Sequence, residues 1–474
     1  MLTAPLVFGQ SSSLSASTAG VGPVMEKLSS YMAEAAGRPL PPEVIEQAKL
    51  HILDTLAAMI SGSQLPPGRA AVAFAREYGG NPLATVVGSS LKCGPMEAAM
   101  VNGVLAHSDE TDDSHSPSQS HPGSAVVPAA LALAEKFSIG GAHFLRAVTL
   151  GYDIGPRVGM TLGGVNYQTE IHRDPHATSS GFGAAAAAGC TASLNSIQVR
   201  ALLDYAAQQS GGIAAWQRDT EHFEKAFVFA GMTARNGVTA ALLVHGGWRG
   251  VNDIFSGPDN FFAAMAPQAN PEGLVDKLGE RYEVTRTNIK KWCVGSPIQA
   301  PLDGLDTLLK QHSFTSDQVK SVVVRVATRE ATIVDNRTLP DICLQHLLAV
   351  MLTQRTVAFK PAHDSSLMTD ALILAARAKV TLIGDDELEK RLPAREAIVQ
   401  VTLQNGSTFS QHVNAVRGTA ENPMTRDEVV AKARDLMEPV VGTDNNSRIV
   451  KTVLGLESVS DMHELTALLR VDSR

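Results

Sequence analysis

Residues 96–136 read MEAAMVNGVLA, then HSDETDDSHSPSQSHPGS, then AVVPAALALAEK. The two outer segments are rich in alanine and other apolar residues, a pattern typical of helices that are buried and closely packed. The middle segment, residues 107–124, holds three histidines, four carboxylates and two prolines. Proline and serine at this density argue against a continuous helix. We therefore predict a loop between two rigid helices, a place where catalytic groups are often found.

Each histidine of this loop, taken alone, is more simply explained as incidental, with Asp and Ser residues capping the next helix. Their clustering favours a functional site. Oxygen and nitrogen donors at such density also suit a divalent metal. The loop has neither the His-x-x-x-His spacing of a helical zinc site nor the glycine and terminal glutamate of an EF-hand, so we rank a metal site second. The members with useful chemistry are Glu110, Ser114, His115 and His121.

Length and composition limit the class of protein. With 474 residues, 44% hydrophobic and 19% charged, the chain is long enough for two domains and a large interior. A net charge of −8 gives no general affinity for nucleic acid or for an anionic membrane. The four cysteines are far apart and form no Cys-x-x-Cys pair, which favours a reducing, cytoplasmic location. We also expect no membrane span, because no apolar run approaches 18 residues.

Two kinds of pattern divide the chain. Residues 1–22 are rich in Ser, Ala and Thr, which predicts a disordered tail. From there to about residue 283, apolar residues recur at helical spacing. Residues 319–327, 397–403 and 408–413 are instead β-branched or alternating runs, and Asn405-Gly406 between the last two is a strong hairpin signal. Helical spacing returns after residue 418. The sequence thus predicts a mostly α protein with an α+β segment at 284–417.

Three further groups carry candidate functional residues. His176 stands where small residues open a helix, and the backbone N–H groups there could bind an anion. Lys225 precedes an apolar run, which would place its ammonium in a half-buried position, with Arg235 further along the same stretch. Lys290 and Lys291 precede Trp292 at the start of the α+β segment. The plainer explanations are loop packing, a solvated lysine and a domain junction respectively.

At these residues the chain resembles the MmgE/PrpD family, which includes 2-methylcitrate dehydratase, cis-aconitate decarboxylase and an iminodisuccinate epimerase. The resemblance covers almost the whole chain after the tail. It is carried by residues 53–62, Ala106-His107, residues 112–115, His121-Pro-Gly, residues 127–135, Gly183, Lys225 ahead of Gly231, Lys290, Gly418 and Asn422-Pro-Met.

The resemblance implies a large helical domain built from both ends of the chain, residues 23–283 and 418–474, with residues 284–417 inserted as a smaller α+β lid. It implies a homodimer and a metal-free, cofactor-free site between the two domains. Matching positions give Glu110, Ser114, His121, His176, Lys225 and Lys290 as catalytic residues. His346 stands near where relatives have a tyrosine, and with His115, Arg235 and Lys291 it completes the expected substrate-binding set.

The expected reaction is that of a lyase acting on a small di- or tricarboxylate. Fixed cations would stabilise a developing enediolate, and histidines would carry the proton near neutral pH. We place dehydration first, because it is the reaction most broadly associated with the family; decarboxylation and epimerisation use the same opening step. A metal-dependent hydrolase and a non-catalytic carboxylate-binding module are the alternatives from other classes.

Overall fold

Helices dominate the fold. The computed structural model describes residues 20–471, so residues 1–19 of the predicted tail lie outside the described residues. The helices of the first 265 residues are α1 (Pro23–Ala33), α2 (Pro42–Gly62), α3 (Pro66–Tyr78), α4 (Pro95–Ala106), α5 (Pro122–Phe137), α6 (Gly141–Leu162), α7 (Val165–Ile171), α8 (Pro175–Thr191), α9 (Ser196–Gln208), α10 (Phe223–Ala226), α11 (Met232–His245) and α12 (Phe261–Met265). A π-helical turn, Phe227–Gly231, joins α10 to α11. The prediction of a mostly α protein is confirmed.

Helix α8 lies at the centre of the first hydrophobic core, which is formed by residues 25–293 and 433–469. The helix carries alanines at 184–188, and α5, α6 and α11 all pack against it. Alanine and glycine bring these helices unusually close. A Cβ atom added to Gly155 of α6 would lie 2.7 Å from the carbonyl oxygen of Ser179. Side chains projecting from α8 are therefore held in a rigid frame.

A second hydrophobic core is formed by residues 292–416. Its helices are α13 (Ser296–Gln311), α14 (Thr328–Val334), α15 (Leu344–Gln354), α16 (Phe359–His363), α17 (Ala371–Arg377) and α18 (Asp386–Glu389). Its sheet has the order β4 (Val380–Asp385), β3 (Val319–Ala327), β5 (Ala397–Leu403), β6 (Thr408–Val413). A short pair, β1 (Ala84–Thr85) with β2 (Lys92–Cys93), lies outside this core.

The predicted hairpin is confirmed: β5 and β6 are antiparallel, with Thr402 opposite Thr408 across the Asn405-Gly406 turn. Strand β3 is antiparallel to β5 and parallel to β4. The sequence did not predict β4. Half of its side chains face solvent, so its apolar pattern is weak.

The last helices are α19 (Arg426–Val441), α20 (Thr443–Leu454) and α21 (His463–Leu468). They pack into the first core through residues such as Ala433, Met437 and Ile449. Helix α19 lies against α2, where the Lys432 ammonium is 2.7 Å from the Asp54 carboxylate, both buried. The chain therefore returns to the first core after completing the second.

The two chain crossings between the cores are joined to each other. The Ile289 N–H donates to the carbonyl of Gly418 at 3.0 Å. Gly418 has φ of +100°, and a Cβ atom there would lie 1.9 Å from the Ile289 carbonyl oxygen. Only glycine fits this position, because both the backbone conformation and the close approach exclude a side chain. The crossing directly precedes Lys290.

One helical stretch of the described chain, Phe223–His245, is long and apolar enough to cross a membrane by length and composition alone. More than half of it is buried inside the protein, where it packs against α4 and α8. Packing in the first core accounts for its apolar character.

Candidate functional site

A cavity of about 450 Å³ lies between the two cores. Its lining comes from the loops and helix ends of the first core, together with residues of α14 and of the segments around 296, 339 and 395 in the second. The first core contributes Glu110, Ser114, His115, Ser116, Gln119, Ser120, His121, Gln168, Thr169, His176, Trp216, Gln217, Asp219, His222, Lys225 and Phe229. The second contributes Ser296, Pro297, Arg329, Thr332, Ile333, Arg337, Leu339, Ile342 and Arg395.

His121 lies at the start of α5, where the predicted loop ends. Its Nδ1 is 3.2 Å from one oxygen of Asp112, and the Nδ1 of His107 is 3.0 Å from the other. Burial works to raise the pKa of Asp112, but the two imidazoles hold that pKa well below its ordinary value. The ionised carboxylate therefore places the His121 proton on Nδ1. Nε2 is left as the nitrogen available for proton transfer.

The pKa of His121 is about 4, because burial lowers it and the charge of Asp112 only partly offsets that effect. Lys290 lowers it further. The imidazole is therefore neutral at pH 7 in the free protein. A neutral imidazole can accept a proton at once, but it must first gain one before it can donate.

His176 occupies the first turn of α8. Its Nδ1 lies 2.8 Å from the carboxylate of Asp174, which also caps the helix by accepting from the N–H groups of His176 and Ala177. The predicted open anion site at this helix end is therefore wrong, since Asp174 already fills it. Burial lowers the pKa of His176 as well. The two imidazole rings of His121 and His176 are 5.6 Å apart, each with its own carboxylate.

Phe229 orders these rings. It lies on the π-helical turn between α10 and α11, and its ring stacks on His176 at 4.1 Å and on His107 at 4.9 Å. Trp216 contacts both Phe229 and His176 edge-on. π-helical turns widen a helix locally and recur at functional sites. Here the turn carries Phe229 and directly follows the short helix that carries Lys225.

Lys225 and Lys290 converge on Glu110. The Lys225 ammonium forms an ion pair with one carboxylate oxygen of Glu110. Lys290 donates to the Glu110 carbonyl at 2.7 Å and lies 3.6 Å from its second carboxylate oxygen. Burial works to raise the pKa of Glu110, but the two lysines hold it well below its ordinary value. Lys225 also lies over the rings of Trp216 and Phe229, 5.4 Å from each centroid.

Ser114 and His115 line the cavity, as expected, but with different freedom. Ser114 pairs with Asn288 through its backbone, which leaves its side chain facing the lining. The Nδ1 of His115 bonds to the Ser118 hydroxyl at 2.8 Å, and its Nε2 lies 3.3 Å from the Glu283 carboxylate. Its imidazole therefore holds the loop in shape.

Three predicted substrate-binding residues lie away from this cavity. Arg235 is exposed on α11. Lys291 pairs with Asp303 at 3.2 Å and Asp306 at 3.0 Å. His346 is fully buried on α15, and burial lowers its pKa to about 4. Neither of its ring nitrogens has a hydrogen-bond partner among the described residues.

Several residues near the cavity were not among the predicted site residues. His222 lines it with a left-handed backbone, and burial lowers its pKa to about 3. His363 of α16 reaches across from the second core, with Nε2 2.7 Å from the Asp109 carboxylate. Asp109 and His222 stand in acidic or His-containing stretches, but only the fold brings His363 to the 107–124 loop.

One group in the described residues has the geometry to hold a metal ion. Donor atoms of His107, Asp112 and His121 lie within 4.8 Å of one another. Both Nδ1 atoms already bond to the carboxylate oxygens of Asp112, so a metal would have to replace these hydrogen bonds. The arrangement as it stands is a carboxylate that positions two imidazoles.

Comparison with known proteins identifies the family of this chain. The MmgE/PrpD N-terminal domain matches residues 26–274, and the MmgE/PrpD C-terminal domain matches residues 292–457. The chain is 27% identical to the cis-aconitate decarboxylase-like protein oryM of Aspergillus oryzae, over 94% of this chain and 97% of that protein. It is 24% identical to a cis-aconitate decarboxylase of Aspergillus terreus, over 94% of this chain and 96% of that protein. It is 26% identical to the cis-aconitate decarboxylase of Homo sapiens, over 90% of each. This chain belongs to the MmgE/PrpD family, and its named relatives are lyases.

Proposed function

We propose that this protein is a lyase that releases CO₂ from a small unsaturated tricarboxylate of the cis-aconitate type. One observation carries the proposal: two carboxylate-backed imidazoles, His121 and His176, line one cavity together with Lys225. The named relatives support the choice of decarboxylation, since their names specify that reaction. Decarboxylation thus takes the first place that the sequence alone gave to dehydration.

The reaction needs two contributions from the protein: a cation that stabilises negative charge on a carboxylate, and a group that donates a proton to carbon. The bond between a CH₂ carbon and its carboxylate breaks, and its electron pair forms a new C=C bond. The electrons of the former double bond move to the carbon beside a second carboxylate, and that carbon takes up one proton. One CO₂ leaves and one proton is consumed. Cations stabilise the charge that develops on the second carboxylate, and such stabilisation usually contributes more to the rate than any other single effect.

Lys225 is placed to stabilise the developing negative charge, and an imidazole is placed to donate the proton. A substrate carboxylate would share the Lys225 ammonium with Glu110. Because the pKa of His121 is about 4, its ring is neutral before substrate binds. Three substrate carboxylates bring negative charge beside it, and this charge raises the imidazole pKa. Substrate binding at pH 7 should therefore take up about one proton, which then goes to the product carbon.

Dehydration of a hydroxy acid is the second candidate. The neutral state of His121 and His176 favours it, because a neutral imidazole can remove a proton from carbon without prior protonation. In that case the partner imidazole or Ser114 would assist the departing hydroxyl. Binding would then be accompanied by little proton uptake.

We also propose that residues 284–417 act as a lid. The cavity takes its lining from both cores, and Lys290 reaches Glu110 directly after the chain crossing. Closure over a bound substrate would exclude water and bring the second-core residues against it.

Product analysis by proton NMR in D₂O tests the proposal. Incubation with cis-aconitate should give an alkene product that has lost one carboxylate and carries one deuterium, with equimolar CO₂. Incubation with 2-methylcitrate should give no product. The reverse pattern, loss of water with all carboxylates retained, would establish dehydration instead. Turnover of neither acid would overturn the tricarboxylate proposal.

A further inference from the structure

Four lysine and arginine side chains of the described residues line the cavity, and three of them have an acidic partner. Lys225 pairs with Glu110. On the second-core side, Arg329 lies 3.3 Å from Glu389 and Arg395 lies 3.1 Å from Glu330. Arg337 also lines the cavity from that side, and its guanidinium has no acidic or hydrogen-bonding partner among the described residues.

The turn that presents Arg337 is held by several side chains. Asn336 has a left-handed backbone with φ of 44°, which ends the segment after α14 abruptly. Its N–H donates to Gln345 at 3.0 Å, and its side-chain oxygen accepts from Arg377 at 3.0 Å. Gln345 also donates to Asp335 at 2.6 Å. These contacts fix the backbone on one side of Arg337.

The Arg337 N–H donates to the thiol of Cys343, which is fully buried. This contact further holds the backbone directly before the Arg337 side chain. Leu339 and Ile342 are the next cavity-lining residues, and their apolar side chains cannot accept a hydrogen bond from the guanidinium. The acids of the lining, Glu110 and Asp219, bond to Lys225 and to backbone N–H groups.

We propose that Arg337 binds the substrate carboxylate farthest from the imidazoles, and so selects tricarboxylates over dicarboxylates. The inference rests on the proposed function for the position of the reacting carbon. A guanidinium presents paired N–H donors that match the two oxygens of a carboxylate. Lys225 and the imidazoles hold one end of the substrate, and Arg337 holds the other from the opposite core. Arg337 is thus a specificity-determining residue of the second core.

Binding of non-reacting acids tests this without requiring turnover. Propane-1,2,3-tricarboxylate and methylsuccinate (propane-1,2-dicarboxylate) share a three-carbon chain, and only the first carries a carboxylate at both ends. By calorimetry, the wild-type protein should bind the tricarboxylate more tightly. Arg337→Gln should weaken tricarboxylate binding by on the order of 10–100-fold, as expected for a charged hydrogen bond, and change methylsuccinate binding by less than about threefold.

Three further variants complete the test. Arg337→Lys should restore part of the tricarboxylate affinity. Gln345→Leu, which loosens the turn, should weaken tricarboxylate binding in the same ligand-dependent way but less. Arg325→Gln is the matched control, since Arg325 pairs with Asp385 on the outside of the sheet and its loss removes the same charge.

Equal losses for both acids, or no loss in Arg337→Gln, would overturn the role of Arg337, as would a wild-type protein that binds neither acid. Failure of the proposed reaction has a different signature. In that case the ligand-dependent loss would persist while cis-aconitate gives no product.

Discussion

At the scale of single residues, Glu110 balances two cations that come from distant parts of the chain. Lys225 reaches it from α10, and Lys290 reaches it from the crossing into the second core. Lys290 also lies 3.9 Å from Asp112, so two ammonium groups face two ionised carboxylates here.

Lys225→Ala and Lys290→Ala should each lower kcat by on the order of 10²–10³, because each removes a fixed charge that stabilises the developing enediolate. Steady-state rates with cis-aconitate measure the effect. Lys310→Ala is the control, since Lys310 is an exposed lysine that pairs with Asp306. Equal rates in the control and in both variants would show that the two lysines do not contribute to the reaction.

The sequence predicted these lysines, His121 and His176 as site residues, but not the residues that position them. Asp112, Asp174 and Phe229 act through contacts that only the fold creates, such as the stacking of Phe229 on His176. His363 is the extreme case, because it meets Asp109 from a distant part of the chain. Conversely, Lys291 was expected at the site beside Lys290, but its ammonium pairs with Asp303 and Asp306 instead.

At the scale of elements, the strongest local signals were read correctly. The two strands that flank the Asn405-Gly406 turn, residues 397–403 and 408–413, have the predicted bounds. Strand β4 was missed because its pairing is parallel to β3 and its side chains are half exposed. The predicted anion site at the N-terminus of α8 was wrong, because the Asp174 side chain already accepts hydrogen bonds from the N–H groups there.

The crossing at Gly418 sets the relation between the two cores. Gly418→Ala should lower the free energy of unfolding by roughly 1–3 kcal/mol from backbone strain alone, and by more because the new methyl group would meet the Ile289 carbonyl. Thermal unfolding measures this. Gly406→Ala is the matched control: its φ is also positive, at +88°, but a Cβ atom there meets nothing within 4 Å. Equal losses in the two variants would show that the close approach is unimportant.

For the protein as a whole, buried histidines make the free energy of unfolding depend on pH in both the acid and the alkaline range. Burial lowers the pKa of His121 to about 4, of His222 to about 3 and of His346 to about 4. Between about pH 4 and 6.5, the unfolded chain binds protons at these sites that the folded protein does not bind. The free energy of unfolding should therefore fall as pH drops from 6.5 toward 4.

His363 has the opposite effect on the pH dependence of the free energy of unfolding. Burial acts to lower its pKa, but the charge of Asp109 raises it to about 9. Its contribution is complete below about pH 6.5 and is lost as pH rises through 9, because only the folded protein holds the proton in that range. This is a contact between the two cores, so its loss should loosen their association.

Calorimetric melting between pH 4.5 and 9.5 measures the loss of stability on both the acid and the alkaline side, here called the acid and alkaline limbs. The melting temperature should be highest near pH 6.5–7, and His363→Gln should flatten the alkaline limb selectively. His463→Gln is the control, since His463 is half exposed and pairs only with Asp461. An alkaline limb that is unchanged in His363→Gln would contradict the assignment.

The quaternary structure expected from the family is also a property of the whole molecule. We propose a homodimer, and light scattering at working concentration should give about twice the mass of 50.1 kDa for one chain. A mass near that of the single chain would refute the dimer.

We propose that His121 and His176 move the proton in a cavity shared by the two cores. Deuterium incorporation at the product carbon, measured by NMR in D₂O with cis-aconitate, tests it most directly. Wild-type protein should incorporate one deuterium per turnover, and His121→Asn and His176→Asn should lower that rate by roughly 10²–10⁴ while the exposed control His463→Asn keeps it. Near-normal incorporation in both cavity variants would contradict the claim.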